Sequence, residues 1–233
     1  MPKDLLIEIG VEEIPASYIL PALSQLEEAL AAELESSRLS HGDVETMATP
    51  RRFAAIVKAV ADAQETVSRT VTGPPARIAF DDGKPTKAAT GFARSQGVDV
   101  DALEVVDDYV RVEVVDEGRA ASDVLPELLA RAIGAMTFPK TMRWGPDVRF
   151  ARPIRWLVAM LGGETLALEY AGCVAGAETQ GLRFHAPGPH RVSGADDYRD
   201  VLARAHVVVD HRDLGRQVGE KRDEFCRRKP RLD

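Results

Sequence analysis

The stretch Ile154-Arg155-Trp156-Leu157-Val158-Ala159-Met160-Leu161-Gly162-Gly163-Glu164-Thr165-Leu166-Ala167-Leu168-Glu169-Tyr170 carries the clearest strand signal in the chain. An apolar run from Ile154 to Leu161 is followed by two glycines and a second strand-like segment, Thr165 to Tyr170, which is the pattern of a β-hairpin. The apolar run is far too short to span a bilayer. We therefore predict a buried hairpin in a globular fold.

Other predicted elements surround this hairpin in an irregular order. Apolar periodicity and turn residues predict strands at 5–9, 53–60 and 109–115, although the alanines of 53–60 also allow a short helix. The same signals predict four helices. The first is introduced by Pro15 and Ser17, and the second runs from Lys87 to Gln96 between a Thr86 cap and Gly97. The third begins at a Ser122 cap, and the fourth runs from Ala195 to Arg204. Because no regular βαβ rhythm appears, we predict the α+β class, with mixed or antiparallel sheets and packed helices.

The chain is large enough for one α+β region over residues 1–210, with a sub-boundary near 73–76 as the open alternative. Gly73-Pro74-Pro75 is a firm break in secondary structure. Residues 211–233 read as a charged helical tail, the start of a truncated remainder. The composition, 45% apolar and 29% charged, is typical of globular proteins. No basic segment precedes an apolar stretch at the N-terminus, so we expect no signal peptide.

Charge is distributed unevenly along the sequence. The net charge of -7 argues against a protein that coats nucleic acid over its whole surface. Ten acids and one base lie between Asp4 and Glu45, whereas five bases and one acid lie between Phe138 and Trp156, together with both tryptophans. Arginine binds phosphate and aromatic rings stack on unpaired bases, so this basic window is a candidate RNA contact. The alternatives are a solvated face for the arginines and core packing for Trp156.

Motifs for catalysis or metal binding are missing from this sequence. Cys173 and Cys226 lie 53 positions apart without the paired spacing of a zinc site, and the histidines form no H-E-x-x-H arrangement. Gly10 to Pro15 lacks the lysine and spacing of a phosphate-binding loop. Glu12-Glu13 are better explained by a strand-to-helix turn than by acid–base catalysis. We predict no catalytic residue, bound cofactor or metal in this chain.

Several short motifs follow one another at matching order and rough spacing. They are Leu6-Ile7-Glu8-Ile9-Gly10-Val11-Glu12-Glu13-Ile14-Pro15, Ala48-Thr49-Pro50-Arg51-Arg52-Phe53, Gly73-Pro74-Pro75, Gly83-Lys84-Pro85-Thr86-Lys87-Ala88-Ala89, Gly91-Phe92-Ala93-Arg94, Phe138-Pro139-Lys140-Thr141-Met142-Arg143-Trp144-Gly145 and Phe150-Ala151-Arg152-Pro153-Ile154. In this order they resemble the β subunit of bacterial glycyl-tRNA synthetases, from about residue 5 to about residue 220. The chain departs from the family at Gly181-Leu182-Arg183-Phe184, where the family usually has histidine at the second position.

The resemblance implies a role in a cytoplasmic α2β2 ligase that joins glycine to tRNA(Gly) at the expense of ATP. In that family the α subunit carries the active site for glycine, ATP and Mg²⁺, and the β subunit binds tRNA. The N-terminal region of the β subunit is similar to the B3/B4-type region of the phenylalanyl-tRNA synthetase β subunit. HD-type helical and anticodon-binding domains follow later in the family and are not expected here. Neither a membrane nor DNA is an expected partner.

The leading hypothesis is therefore an N-terminal fragment of the β subunit that binds tRNA and the α subunit. The candidate RNA-binding residues are Arg51, Arg52, Lys140, Arg143, Trp144, Arg152 and Arg155. For each cation the alternative is a salt bridge to the acidic N-terminal helix. For the whole chain the alternatives are a freestanding tRNA-binding or editing-like module, or an inactive truncated product.

Overall fold

The computed structural model describes residues 1–81, 84–145 and 148–210 of the chain. The helices are α1 (Ala16–Ser36), α2 (Ala76–Ala79), α3 (Lys87–Gln96), α4 (Ala121–Ala135) and α5 (Ala195–Arg204), with a 3₁₀ turn at Val100–Ala102. The strands are β1 (Lys3–Val11), β2 (Val44–Thr49), β3 (Arg52–Val60), β4 (Val67–Pro75), β5 (Phe80–Asp81), β6 (Lys84–Pro85), β7 (Glu104–Val106), β8 (Tyr109–Asp116), β9 (Met142–Arg143), β10 (Arg149–Phe150), β11 (Ile154–Leu161), β12 (Glu164–Thr165), β13 (Glu169–Tyr170), β14 (Cys173–Gly176), β15 (Glu178–Gln180) and β16 (Pro189–Arg191).

The chain forms two compact units. The first combines Met1–Gln64 with the chain from Arg119 onward, and the second is Glu65–Gly118. The sequence predicted one region over residues 1–210 with a possible sub-boundary near 73–76. The structure instead separates residues 65–118 from the rest of the chain. Gly73-Pro74-Pro75 instead ends β4 inside the second unit, since proline is tolerated at a strand end where its missing N–H costs no ladder hydrogen bond. The predicted tail, 211–233, lies outside the described residues.

The main sheet of the first unit has the order β13-β14-β11-β1-β3-β2, with β12 paired to β11. Strands β11 and β14 are parallel, and the other pairs of this sheet are antiparallel. Helices α1 and α4 pack on one face, against Leu5, Ile7 and Ile9. Helix α5 packs on the other face, against Leu6. Because both faces are covered, β1 is almost continuously apolar.

The second unit is a small sheet with its own core. Its strands have the order β4-β8-β7, all antiparallel. Ala79, Ala89 and Val110 form its buried centre. The predicted helix cap is confirmed: Thr86 accepts a hydrogen bond from the Ala88 N–H. Gly97 ends α3 in the left-handed conformation, with φ 71°.

The α+β class with mixed and antiparallel sheets is thus confirmed. Similarity to the B3/B4-type region stays a prediction. Two element predictions need correction. The N-cap of α4 is Ala120 and not Ser122, which lies inside the helix. The predicted second hairpin strand is divided, because only Glu164–Thr165 pairs with β11 while Glu169–Tyr170 pairs with β14. No helix among the described residues is long and apolar enough to cross a membrane.

Candidate nucleic-acid interface

Motifs that are distant in sequence meet at one end of the main sheet. The Val11 N–H donates to the Arg51 carbonyl at 2.8 Å, and the Ile14 N–H donates to the Pro50 carbonyl at 2.8 Å. The Glu12 N–H donates to the Pro153 carbonyl at 3.2 Å. A cleft of about 560 Å³ opens there, which we call the arginine cleft, and its lining residues are Glu13, Ile14, Thr49, Pro50, Arg51, Arg52, Gly181, Leu182, Arg183, Phe184, His206, Val207 and Val208.

Arg52 points inward at the base of this cleft. Its side chain is 2% exposed and forms an ion pair with Glu8, whose side chain is 0% exposed, at 3.5 Å. It also donates to the Thr179 hydroxyl at 2.9 Å and to the Gln180 carbonyl at 2.5 Å. Arg52 therefore has no surface to offer an RNA phosphate, and we leave it out of the proposed interface. Its partner lies on β1, not on the acidic helix α1.

Glu8 is the centre of a buried polar network. Its carboxylate accepts hydrogen bonds from Trp156 Nε1 at 2.5 Å, from the Thr179 hydroxyl at 2.7 Å and from the Tyr198 hydroxyl at 2.5 Å. Burial, followed by the charge of Glu8, raises the pKa of Tyr198 well above its ordinary value. The network joins β1, β3, β11, β15 and α5 and satisfies a carboxylate that would be costly to bury alone.

The Trp156 ring lies across Gly10, its register partner on β1. A Cβ on Gly10 would lie 1.9 Å from the ring, so this position excludes any larger residue. The guanidinium carbons of Arg51 and Arg52 lie 5.7 and 5.6 Å from the ring centroid, within cation–π range. Trp156 is half-buried and packs against the core under α5, in agreement with the packing alternative for this residue.

Arg51 lines the arginine cleft and is partly buried. Its Nε is enclosed and has no hydrogen-bond partner in the described part of the chain. Burial lowers the pKa of the guanidinium, the positive charge of Arg183 lowers it further, and Glu12 opposes both. Arginine remains charged despite such shifts. The partly buried, incompletely paired guanidinium is suited to binding an anion through its terminal nitrogens.

Arg183 and its neighbour Phe184 form the opposite rim. Arg183 pairs with Glu12 at 2.9 Å and approaches Glu13 at 4.0 Å. The Phe184 side chain is 90% exposed, and Leu182 beside it is also exposed. These residues belong to the Gly181–Phe184 motif, which the sequence showed only as a departure from the family pattern. Their proximity to Arg51 is a tertiary feature that spacing could not reveal.

A second basic surface is the short hairpin of β9 and β10, residues 140–145 and 148–150, which we call the basic hairpin. Arg143 and Arg149 pair directly across it. Lys140, Arg143 and Arg149 are exposed and form no ion pair with any described residue. Trp144 is 37% exposed and donates from Nε1 to the Phe150 carbonyl at 3.1 Å. Sequence reasoning selected these residues except Arg149.

Aromatic packing fixes the basic hairpin to the body of the unit. Phe150 is buried, and its ring centroid lies 4.7 Å from that of Phe138 in an edge-to-face arrangement. Phe138 in turn packs against Phe53 of β3 at 6.2 Å. These ring contacts attach the basic hairpin to β3 of the first unit.

Arg152 and Arg155 occupy the chain between the two surfaces. Arg152 is exposed and donates to the Glu13 carbonyl at 3.1 Å. Arg155 is 60% exposed and lies 3.6 Å from Glu12. The predicted alternative of pairing with α1 does not describe these contacts, because Glu12 and Glu13 precede that helix. The exposed Arg155–Glu12 pair is weak, and Arg152 hydrogen-bonds to a backbone carbonyl, so both arginines remain able to contact a ligand.

Groups for metal or covalent chemistry do not assemble in the described residues, where no cluster of three His, Cys, Asp or Glu side chains has metal-binding geometry. His185 and His206 stack edge to face at 5.9 Å. Burial raises the pKa of the Cys173 thiol, which reduces its thiolate fraction, while the charge of Arg155 opposes this. Cys226 and His211 lie outside the described residues.

Comparison with known proteins places these motifs in one family. The family model described as glycyl-tRNA synthetase beta subunit matches residues 5–230. A glycine–tRNA ligase beta subunit from Moorella thermoacetica is 48% identical over 216 residues, covering 90% of this chain and 31% of the relative. One from Myxococcus xanthus is 43% identical over 227 residues, covering 95% of this chain and 32% of the relative.

A third beta subunit, from Halothermothrix orenii, is 42% identical over 213 residues, covering 91% of this chain. The chain spans 31% of the length of this relative, as it does for the Moorella protein. Identity at this level across nine-tenths of the chain leaves no doubt of common descent. The chain belongs to the glycyl-tRNA synthetase beta subunit family.

Proposed function

We propose that this chain acts as the N-terminal part of the β subunit of a glycine–tRNA ligase, binding tRNA(Gly) and associating with the α subunit. In this proposal the α subunit of an α2β2 enzyme holds glycine, ATP and Mg²⁺ and performs the chemistry in the cytoplasm. The present chain supplies no catalytic residue and binds no cofactor. It contributes to aminoacylation by holding the RNA.

The observation that carries the RNA part of the proposal is the cross-strand pair Arg143–Arg149 in the basic hairpin. Like charges directly opposite each other destabilise an antiparallel pair. A hairpin that keeps two arginines opposite each other, next to Lys140, therefore favours binding to a polyanion that neutralises them. Trp144 offers an exposed ring beside these cations. This combination of cations and a flat ring supports RNA contact.

The charges around the basic hairpin also favour RNA binding on this side of the first unit. Arg51, Arg152 and Arg155 extend the basic region toward the arginine cleft. The exposed acids of α1 would repel phosphate from that helix. We therefore propose Arg51, Lys140, Arg143, Arg149, Trp144, Arg152 and Arg155 as the RNA-contacting set.

Charge reversal in the basic hairpin tests this proposal. We expect Lys140→Glu combined with Arg143→Glu to weaken binding of tRNA(Gly) and to flatten its dependence on salt by roughly one to two counterions. Fluorescence anisotropy over a salt series measures both. The matched control is Lys87→Glu combined with Arg94→Glu on α3, which makes the same charge change at exposed positions of the second unit.

The outcome is decided by comparing the two variants. A loss confined to the hairpin variant supports the assigned surface. An equal loss in both variants would show that only overall charge matters. An unchanged affinity of the hairpin variant at fixed salt would show that this surface does not bind tRNA.

A further inference from the structure

The arginine cleft differs from the basic hairpin in the kind of surface that it offers. The hairpin is an exposed ridge of cations, whereas the cleft is a concavity of about 560 Å³. Pockets that hold one small organic molecule have volumes of about 300–1,000 Å³. The cleft therefore suits a single chemical group rather than a nucleic-acid helix.

Two features of the cleft are not accounted for by contacts among the residues that the structure describes. The first is Arg51, whose Nε, like that of Arg52 in the same cleft, is buried without a partner among the described residues. The second is Phe184, a large ring left 90% exposed at the rim. An exposed ring next to an incompletely paired arginine costs stability unless a ligand covers both.

Resting on the proposed function, we propose that the arginine cleft binds one unpaired nucleotide of the RNA, with its phosphate on Arg51 and Arg183 and its base stacked on Phe184. Arginine forms bidentate hydrogen bonds with phosphate. Phenylalanine stacks on any base, since every base has a π-face. The bound nucleotide supplies a counter-charge to the terminal nitrogens of Arg51 and covers the Phe184 ring at the same time.

The acids of the cleft limit what can enter. Glu13 is largely exposed at the rim, and Glu12 pairs with Arg183 and lies near Arg155. These carboxylates would repel a continuous run of phosphates across the rim. They can accept hydrogen bonds from the amino groups of a base. A nucleotide at the end of an RNA strand, or one turned out of an RNA helix, can place one phosphate and one base in the cleft, whereas a base-paired duplex cannot.

Trp156 fixes the position of Arg51 within the cleft. The Arg51 and Arg52 guanidinium carbons lie 5.7 and 5.6 Å from the centroid of the Trp156 ring, and Trp156 Nε1 donates to Glu8. Glu8, held by its buried network, thus orients the ring against which Arg51 rests. The anion-binding group is preorganised by the core, which lowers the entropic cost of binding.

The test uses the whole chain and two probes of equal length and composition, a labelled single-stranded oligoribonucleotide and a blunt-ended duplex. We expect Phe184→Ala to weaken binding of the single strand by roughly five- to hundred-fold, the size of one stacking contact, without changing its salt dependence. Phe184→Tyr, which keeps an aromatic ring, should bind the single strand as tightly as the unaltered chain does, whereas Phe184→Leu should bind it as weakly as Phe184→Ala does. Tyr109→Ala, which removes an exposed ring of the second unit, is the matched control and should bind normally.

Substitution of Arg51 should change the salt dependence of single-strand binding, which substitution of Phe184 should not. Arg51→Ala should weaken single-strand binding and reduce the salt slope by about one phosphate, and Arg51→Lys should keep the slope while recovering only part of the affinity. Duplex binding should change little in either Arg51→Ala or Phe184→Ala. The salt slope therefore separates the charge contact from the stacking contact.

Several results would overturn the proposal. They are normal single-strand binding by Phe184→Ala, no detectable single-strand binding by the unaltered chain, or displacement of the oligonucleotide by an acidic peptide as readily as by a mononucleotide. The last result would make the cleft a protein-docking site. If hairpin charge reversal weakens tRNA binding while the cleft variants do not, only the cleft proposal fails. If neither surface affects tRNA binding, the proposed function fails as well.

Discussion

At the scale of single residues, Arg51 and Arg52 show how neighbours in sequence take opposite roles. Arg51 lies in the turn between β2 and β3 and lines the cleft, whereas Arg52 is the first residue of β3 and its side chain enters the core. The buried arginine depends on Glu8 as its counter-charge. Sequence spacing could place both residues at a strand start but could not identify the carboxylate that one of them would meet.

The first residue-scale prediction concerns Glu8. We expect Glu8→Gln to lower the free energy of unfolding by about 3–5 kcal/mol, because it leaves the Arg52 guanidinium buried without a counter-charge. Urea denaturation followed by circular dichroism measures the change. The double variant Glu8→Gln with Arg52→Met should recover much of the loss. A single variant as stable as the parent would show that the ion pair contributes nothing.

The second residue-scale prediction uses two glycines in different surroundings. Gly10→Ala should destabilise the chain by about 1–3 kcal/mol, because its Cβ would overlap the Trp156 ring. Gly91→Ala should instead stabilise by about 0.5–1 kcal/mol, since that Cβ meets open space in the middle of α3. Thermal unfolding compares the two substitutions. Equal effects would contradict the close approach of Trp156 to β1.

At the scale of elements, the pairing of β1 with β3 contains an irregularity that Asp4 stabilises. The register shifts between Lys3 and Leu5, and Ala59 opposite them has a positive φ of 50°. The Asp4 carboxylate accepts hydrogen bonds from the Ala59 N–H at 2.9 Å and from Lys58 Nζ at 2.5 Å. The side chain thus satisfies a backbone donor that the bulge leaves unpaired.

This contact predicts a pH-dependent contribution to stability. Burial alone would raise the pKa of Asp4, but the hydrogen bonds from Lys58 and Ala59 and the charge of Lys58 hold it below its ordinary value. A pKa that is lower in the folded state contributes stability above the unfolded value, about 3.9, and loses it as pH falls through the folded value.

Asp4→Asn should therefore lower the free energy of unfolding by less than about 1 kcal/mol at pH 7, because the pair is partly exposed. The difference from the parent chain should begin to shrink below about pH 4 and disappear only when the pH has fallen below the lowered pKa of Asp4. Urea midpoints over a pH series measure it. Asp43→Asn, at an exposed position nearby, is the control and should track the parent throughout. A difference that persists in acid would show that shape and not charge stabilises the bulge.

Sequence patterns predicted elements best where local chemistry defines both ends. The α3 helix is such a case, since Thr86 and Gly97 supply the cap and the left-handed end. The start of α4 was misplaced at Ser122, because Ala120 occupies the cap position and Ala121 opens the helix. The hairpin strand after Gly163 was predicted as continuous, whereas residues 169–170 pair with β14. Apolar content alone does not specify which strand becomes the partner.

At the scale of the whole molecule, the second unit is an insertion between neighbouring points of the first. The Gln64 N–H donates to the Arg119 carbonyl at 2.9 Å, and Ala63 forms a β-bridge with Ala120. Each unit has its own core. We expect replacement of residues 65–118 by a short Gly/Ser linker to leave the first unit folded, with cooperative thermal unfolding and retained tRNA binding. Loss of cooperative unfolding would show that the first unit depends on the insertion.

The last whole-molecule prediction concerns aminoacylation. The chain spans 31% of the Moorella thermoacetica beta subunit. We expect no glycyl-tRNA when this chain is combined with a glycyl-tRNA synthetase α subunit, tRNA(Gly), ATP, Mg²⁺ and glycine, because the remaining length of the family's β subunits is absent from the mixture. A full-length relative with its own α subunit is the positive control. Formation of charged tRNA, measured with labelled glycine, would show that this segment suffices.

The sequence by itself determined the family, the α+β class, the caps of α3 and the basic character of residues 140–155, because these depend on local composition and ordered motifs. Only the tertiary structure decided that Arg52 is enclosed by Glu8, Thr179 and Gln180, and that Arg51, Arg183 and Phe184 share one cleft. Burial and proximity arise when segments from 44 to more than a hundred residues apart pack together. No local pattern encodes which carboxylate a buried guanidinium will meet.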